Sequence, residues 1–149
     1  TYDNDQFFLH RSVMREAGID ADEAARFTAA VAAEFPEVQR TLTAADLRIG
    51  HFTEGAESNV QRGWHAQASG DVVIVLKPGF LEYGRTGTSN GSPYAYDTHV
   101  PFLIMGPGIP QGRTYSRTEI RDIAPTLSAL LGFPRPSGCT GSPVEALFD

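Results

Sequence analysis

Residues 71–105 read DVVIVLKPGFLEYGRTGTSNGSPYAYDTHVPFLIM, and the reading of this stretch decides the fold class. Asp71 to Leu76, whose VVIVL run is apolar at consecutive positions, is bounded by Ser69-Gly70 and Pro78-Gly79, the pattern of a buried central strand. Phe102 to Met105 repeats that pattern between Pro101 and Gly106-Pro107-Gly108, so a second strand is expected there. Between the two runs lies a long polar connection carrying Gly84, Gly87, Gly91 and Pro93, and a loop of that length in a compact domain is usually functional or disordered. Thr86, Thr88, Asn90, Tyr94, Tyr96, Asp97 and His99 are concentrated in it. Polar groups gathered where a buried strand ends are the usual position of a ligand site in an α/β protein.

Working outward, the two halves of the chain differ in character. All the prolines except Pro36 follow Lys77, so the first half reads as helix-rich and the second as rich in loops. Thr1 to Leu9 alternates imperfectly toward an apolar end and reads as a strand; the chain thus opens inside regular structure, as expected of a segment of a longer protein. Arg11 to Ala17 predicts a short helix stopped by Gly18. Asp20 predicts an N-cap with Glu23 at the capping-box position. Ala24, Phe27, Val31 and Phe35 then form an apolar stripe at helical spacing, and Pro36 marks the end. Val38 to Leu42 reads as a strand, and Ala56 to Trp64 as a helix within a weaker segment. Downstream, Thr114 to Glu119 reads as a strand, and Asp122 as the N-cap of a helix through Leu131, with Pro125 in its first turn and Gly132 as its stop. The expected division is a helix-rich segment over residues 1–65 and a core segment over residues 66–149.

The whole chain of 149 residues is long enough to bury a core, and its 41% hydrophobic content is ordinary for a globular protein. A formal net charge of −6 with no cluster of Lys or Arg argues against a nucleic-acid partner. No run approaches the apolar length of a membrane span, so no membrane partner is expected. The lone Cys139 excludes an intrachain disulfide. The histidines, His10, His51, His65 and His99, never stand at a spacing that would put two of them on one metal ion, and the HExxH, GxSxG and P-loop patterns do not occur. His10, His51 and His65 therefore read as surface or structural residues. His99 is either a histidine satisfied by backbone groups or part of a site.

The order Gly87-Thr88, Gly91, Tyr96-Asp97 and His99-Val100-Pro101, followed by an apolar run and Gly106-Pro107-Gly108, resembles the last active-site segment of zinc alkaline phosphatases with a threonine nucleophile. These belong to a superfamily shared with nucleotide pyrophosphatases and phosphodiesterases. SGDVVIVLKPGF at residues 69–80 and RDIAPTLSALLGFPRPSGCTG at residues 121–141 resemble further blocks of that family in the same order, so the likeness covers about residues 60–145. It implies an α/β fold, the C-terminal portion of an alkaline-phosphatase-like three-layer sandwich with a mixed sheet and flanking helices. It implies phosphate-monoester hydrolysis by the parent protein, with two zinc ions as cofactors. The alternatives are phosphodiester or nucleotide-pyrophosphate hydrolysis within the superfamily, or a non-catalytic binding or scaffold module.

The resemblance places the nucleophile and most zinc ligands upstream of this region. The chain alone is then expected to be inactive and to bind no metal by itself. Asn90 stands where the family's zinc-binding histidine is expected. Either that donor has been replaced, naturally or by design, or His99 is the metal ligand, and the chain leaves both assignments open. Thr88, Gly91, Tyr96 and Asp97 are the supporting loop residues, with Asp97 near enough in sequence to orient His99. The partners implied are phosphate-ester small molecules, the upstream half of the same protein and a second copy joined through exposed sheet edges, and the location implied is periplasmic or secreted.

Overall fold

The computed structural model describes residues 1–82 and 90–148, which form two compact units, Thr1–Val100 and Pro101–Asp149. The first unit is built on a four-stranded sheet in the order β1-β2-β4-β3, comprising β1 (Tyr2–Asp3), β2 (Gln6–Phe7), β3 (Val38–Thr43) and β4 (Val72–Leu76). The α/β class holds, and every strand pairing among the described residues is antiparallel. Thr1 to Leu9 is a hairpin rather than one strand. Asn4 and Asp5 both take positive φ, 49° and 56°, the geometry of a two-residue turn whose twist matches that of the flanking strands. The strand reading of this segment passed over an Asn-Asp turn dipeptide.

β4 is the central strand, as its unbroken apolar run predicts. Its alternate side chains serve opposite layers. Val72 packs with Ala25 and Ala29 of α2 (Ala21–Ala32), with Phe7 and Leu9 alongside. Val75 packs on the opposite face with Leu42 of β3 and Leu47 of α3 (Ala44–Ile49), joined by Val73, by Ala56 and Val60 of α4 (Gly55–Gly63), and by Trp64 and Tyr94. The result is helix, sheet, helix. A bulge between Val38 and Arg40 bends β3 against β4 before regular pairing resumes at Arg40↔Val75.

The helix starts and stops follow local chemistry. α1 (Arg11–Ala17) ends at Gly18 in the left-handed region, and the Asp20 side chain accepts from the Glu23 N–H at 2.9 Å to start α2. Thr43 and Asp46 form a reciprocal capping box at the start of α3, a helix not expected from the sequence. The buried face of α2 is also a correction. Ala25, Ala29 and Ala32, at i, i+4 and i+7, face the sheet, whereas Phe27 is 72% exposed and Val31 and Phe35 are exposed with it. Small side chains let the helix lie close on β4, and the bulky stripe is turned outward to line an apolar groove of about 190 Å³ with Phe7.

The junction before β4 explains the Ser69-Gly70-Asp71 sequence. A Cβ on Gly70 would lie 2.8 Å from the Phe7 carbonyl oxygen, so the position needs glycine. Asp71 accepts from the Leu9 N–H at 2.7 Å and pairs with Arg11, while its carbonyl accepts from the Ala44 N–H at 2.8 Å. One aspartate thereby ties the hairpin, α1 and α3 to the head of the central strand.

In the second unit the expected strands at Phe102–Met105 and Thr114–Glu119 do not form. A strand requires hydrogen-bonding partners, and no described residue supplies them. Leu103 and Met105 are almost fully exposed. The one α-helix described in this unit is α6 (Ile123–Leu131), with Pro125 buried in its first turn and Gly132 in the left-handed region at its end. Asp122 does not cap α6. Its carboxylate instead accepts from the Glu119 N–H at 2.8 Å and from the Ser142 N–H at 2.9 Å. These two bonds hold its pKa below the ordinary carboxylate value. Thr126, fully buried, donates to the Asp122 carbonyl at 2.6 Å and accepts from the Val144 N–H at 3.0 Å. Arg135 donates to the carbonyls of Cys139 and Gly141, and a Cβ on Gly141 would collide with the Arg121 carbonyl. The Pro-Ser-Gly tail is thus latched onto the start of α6 by polar groups.

Candidate functional site

The loop singled out by the sequence returns to the C-terminal end of β4. Lys77-Pro78-Gly79-Phe80 turns the chain sharply, with the Phe80 N–H donating to the Lys77 carbonyl at 3.0 Å and Gly79 at φ 82°, the arrangement of a type II turn. Residues 83–89 lie outside the described residues, and with them Thr86, Gly87 and the candidate Thr88. The chain is described again from Asn90.

Tyr94 anchors the returning segment. Its ring packs in the core cluster with Leu42 and Val75, and its hydroxyl donates to the Leu76 carbonyl at 2.7 Å, the group a further ladder partner would otherwise take. Burial raises the Tyr94 pKa, with smaller contributions from Tyr96 and Glu57, so the phenol keeps its proton and its donor role. Asn59 of α4 donates to the Pro93 carbonyl at 2.9 Å and fixes the segment from the helix side. Sequence reasoning missed Asn59, since a lone asparagine within a helix gives no signal of a contact across the fold.

A single helical turn follows, α5 (Ala95–Thr98). Asp97 within it is half-buried, and its carboxylate accepts from the Ser92 N–H at 3.0 Å. Asp97 therefore closes its own loop. Among the described residues nothing pairs it with His99, so the expected orienting contact is not made. His99 is exposed at the end of α5, its N–H bonded to the Ala95 carbonyl at 2.9 Å. Asn90 and Gly91 are exposed, and Gly91 sits at φ 101°, a conformation that favours glycine. The Ser92 hydroxyl is buried without a hydrogen-bond partner among the described residues. Tyr96, 60% exposed, stacks on Tyr94 with ring centroids 5.7 Å apart, and its hydroxyl accepts from the Gly79 N–H at 3.3 Å.

Asn90, Gly91, Tyr96 and Asp97 border an open cleft of about 1240 Å³, whose floor includes Trp64 and Ile74. Tyr2, Asp5 and Glu82 also line it, and the single Tyr2 hydroxyl proton is shared between the Asp5 carboxylate, 3.1 Å away, and that of Glu82. Burial, followed by the bond to Glu82, raises the Tyr2 pKa; burial also raises that of Asp5, against the lowering effect of its bond from Tyr2. This trio was not legible in the sequence, because the residues come from opposite ends of the unit.

Among the described residues the donor set does not fit a metal ion by itself. No three His, Cys, Asp or Glu side chains converge among the described residues. The Asp97 carboxylate is engaged with backbone, and a neutral amide at Asn90 is a poor zinc donor. The His65 ring accepts from the Gln67 N–H at 3.3 Å, and His10 lies 3.4 Å from the Thr1 hydroxyl. No helix among the described residues is long and apolar enough to cross a membrane.

No protein-family model matches the chain. It is 32% identical over 142 residues to alkaline phosphatase PafA of Elizabethkingia meningoseptica, covering 95% of this chain and 26% of that protein. To alkaline phosphatase PhoV of Synechococcus elongatus it is 37% identical over 109 residues, covering 71% of this chain and 20% of that one. The crystal structure of wild-type alkaline phosphatase PafA superposes with a TM-score of 0.90 at 31% identity, covering 100% of this chain and 29% of that one. The chain thus spans about a quarter or less of the length of these relatives. With the ordered loop blocks, the helix-sheet-helix layering and these similarities together, the chain belongs to the alkaline phosphatase superfamily.

Proposed function

We propose that the chain is the portion of a phosphate-monoester hydrolase that frames one wall of the substrate cleft, and that it has no hydrolytic activity alone. The observation that carries this reading is the similarity to alkaline phosphatases over nearly the whole chain, combined with the lack, among the described residues, of three converging metal donors. A two-metal phosphatase site supplies Lewis acidity to the phosphoryl oxygens and needs about six N or O ligands. Asn90 and His99 offer at most single donors toward such a site, and one Asp97 oxygen already accepts from the Ser92 N–H.

The role of this chain's residues is positional. Tyr94 and Asn59 pin the loop to β4 and α4, Asp97 closes its turn, and the segment from Asn90 to His99 is held as a defined edge of the cleft. The remaining ligands and the nucleophile are then supplied by sequence beyond these residues, with zinc as the metal and the exterior of the cell or the periplasm as the location. The test is hydrolysis of p-nitrophenyl phosphate by the purified 149-residue chain with added zinc. No turnover above a heat-denatured control is expected. Zinc-dependent turnover that copurifies with the chain and is abolished by a chelator would overturn the proposal.

A further inference from the structure

The stacked tyrosines of the loop are held more firmly than a surface pair needs to be. Tyr94 is fixed by the Leu76 carbonyl and by the core, and Tyr96 by the Tyr94 ring on one side and the Gly79 N–H at its hydroxyl. Gly79 is itself set by the type II turn that ends β4. A hydrogen bond at its hydroxyl and a stacked ring on one face therefore hold a Tyr96 ring that is still 60% exposed. That ring lines the cleft shared with Asn90 and Asp97. A large aromatic surface left open costs free energy in water, and one already ordered loses little entropy when a second ring is laid on it.

We propose that Tyr96, backed by Tyr94, is a stacking platform for a planar aromatic group, the aryl or nucleobase part of a phosphate ester bound in this cleft. The phosphate-ester half of this statement rests on the function proposed above; the platform does not. Aromatic rings stack with offset faces, and nucleobases do so with little dependence on sequence. A saturated ring of the same size fills similar volume but lacks the flat face, so preference for the planar ring separates stacking from simple apolar burial.

The test measures dissociation constants for the 149-residue chain with phenyl phosphate, cyclohexyl phosphate, adenosine monophosphate and adenosine. Wild type is compared with Tyr96→Leu and Tyr96→Phe, each verified as folded by circular dichroism. Phenyl phosphate is expected to bind about 10-fold more tightly than cyclohexyl phosphate, since a base–aromatic stack is typically worth roughly a five-fold to hundred-fold gain. Tyr96→Leu removes that preference, and Tyr96→Phe retains most of it. Tyr96-dependent binding of adenosine, which has no phosphate, supports the platform even where inorganic phosphate does not compete, and that pattern would count against the phosphate-ester reading alone. Tighter binding of adenosine monophosphate than of phenyl phosphate identifies the nucleobase as the preferred ring; the reverse identifies an aryl group. Equal constants for phenyl and cyclohexyl phosphate, a preference that survives Tyr96→Leu, or no binding of any aromatic ligand overturns the proposal.

Discussion

Asp122 offers the sharpest test of how the second unit is held together. Its carboxylate accepts two backbone N–H groups from segments 23 positions apart, Glu119 at 2.8 Å and Ser142 at 2.9 Å. The second of these bonds closes the tail onto α6. Because the group is only half-buried, each bond is credited with about 1 kcal/mol rather than the larger value for a desolvated charge. Asp122→Asn keeps one accepting oxygen and turns the amide N–H₂ against the other donor, so it should cost about 1 kcal/mol; Asp122→Ala loses both bonds and should cost about 2 kcal/mol. Cys139, the one cysteine of the chain, reports the opening directly, because it lies inside the latched tail with its sulfur 3.9 Å from the Arg121 carbonyl. If the tail opens locally to expose the thiol, labelling by a disulfide reagent should accelerate about 5-fold in Asp122→Asn and roughly 30-fold in Asp122→Ala. The pH dependence has a definite sign. A folded pKa below the unfolded value means that the unfolded form binds more protons, so the stabilisation is complete above the ordinary carboxylate range near 3.8 and is lost as pH falls through the lowered value. Labelling rates in both variants equal to wild type, with unchanged melting, would refute the latch.

Three further outcomes follow from named contacts. Ala29→Leu should destabilise the first unit by about 1–3 kcal/mol in urea unfolding followed by Trp64 fluorescence, because added methylenes are forced between α2 and Val72; Phe27→Ser, on the exposed stripe, should cost less, and the opposite ranking would return the bulky stripe to the core. Tyr94→Phe should cost about 1 kcal/mol through loss of the bond to Leu76. Since the Tyr94 pKa is raised, its wild-type contribution is complete below pH 10 and lost as pH rises through the higher folded value, so the wild-type advantage over Tyr94→Phe should shrink in alkali. A pH-independent gap would exclude titration of Tyr94 as the cause. Asn90→His should not create tight zinc binding in this chain, because a closed zinc site takes about four donors and the described residues hold no group of three His, Cys, Asp or Glu side chains for one added imidazole to complete. Calorimetry showing affinity much tighter than about micromolar would mean that the loop brings more donors together than its geometry indicates.

What was legible in the sequence was local. The apolar run at Val72–Leu76, the Asp20 cap, the Gly18 and Gly132 stops and the ordered loop blocks each depend on neighbours a few residues away, and each could be read without a fold. The family came from several such blocks in order, which is again a property of the chain alone. Tertiary structure decided which of two helical stripes α2 buries, because Ala25-Ala29-Ala32 and Phe27-Val31-Phe35 are both periodic and only close approach to β4 distinguishes them. It also decided that Phe102–Met105 stays unpaired among the described residues, since strand propensity cannot supply a partner. In the same way Asp97 was drawn to Ser92 rather than His99, and Asp122 to Ser142 rather than to the first turn of α6. A carboxylate bonds the nearest properly directed N–H, and which N–H that is depends on chain segments whose meeting no spacing rule reports.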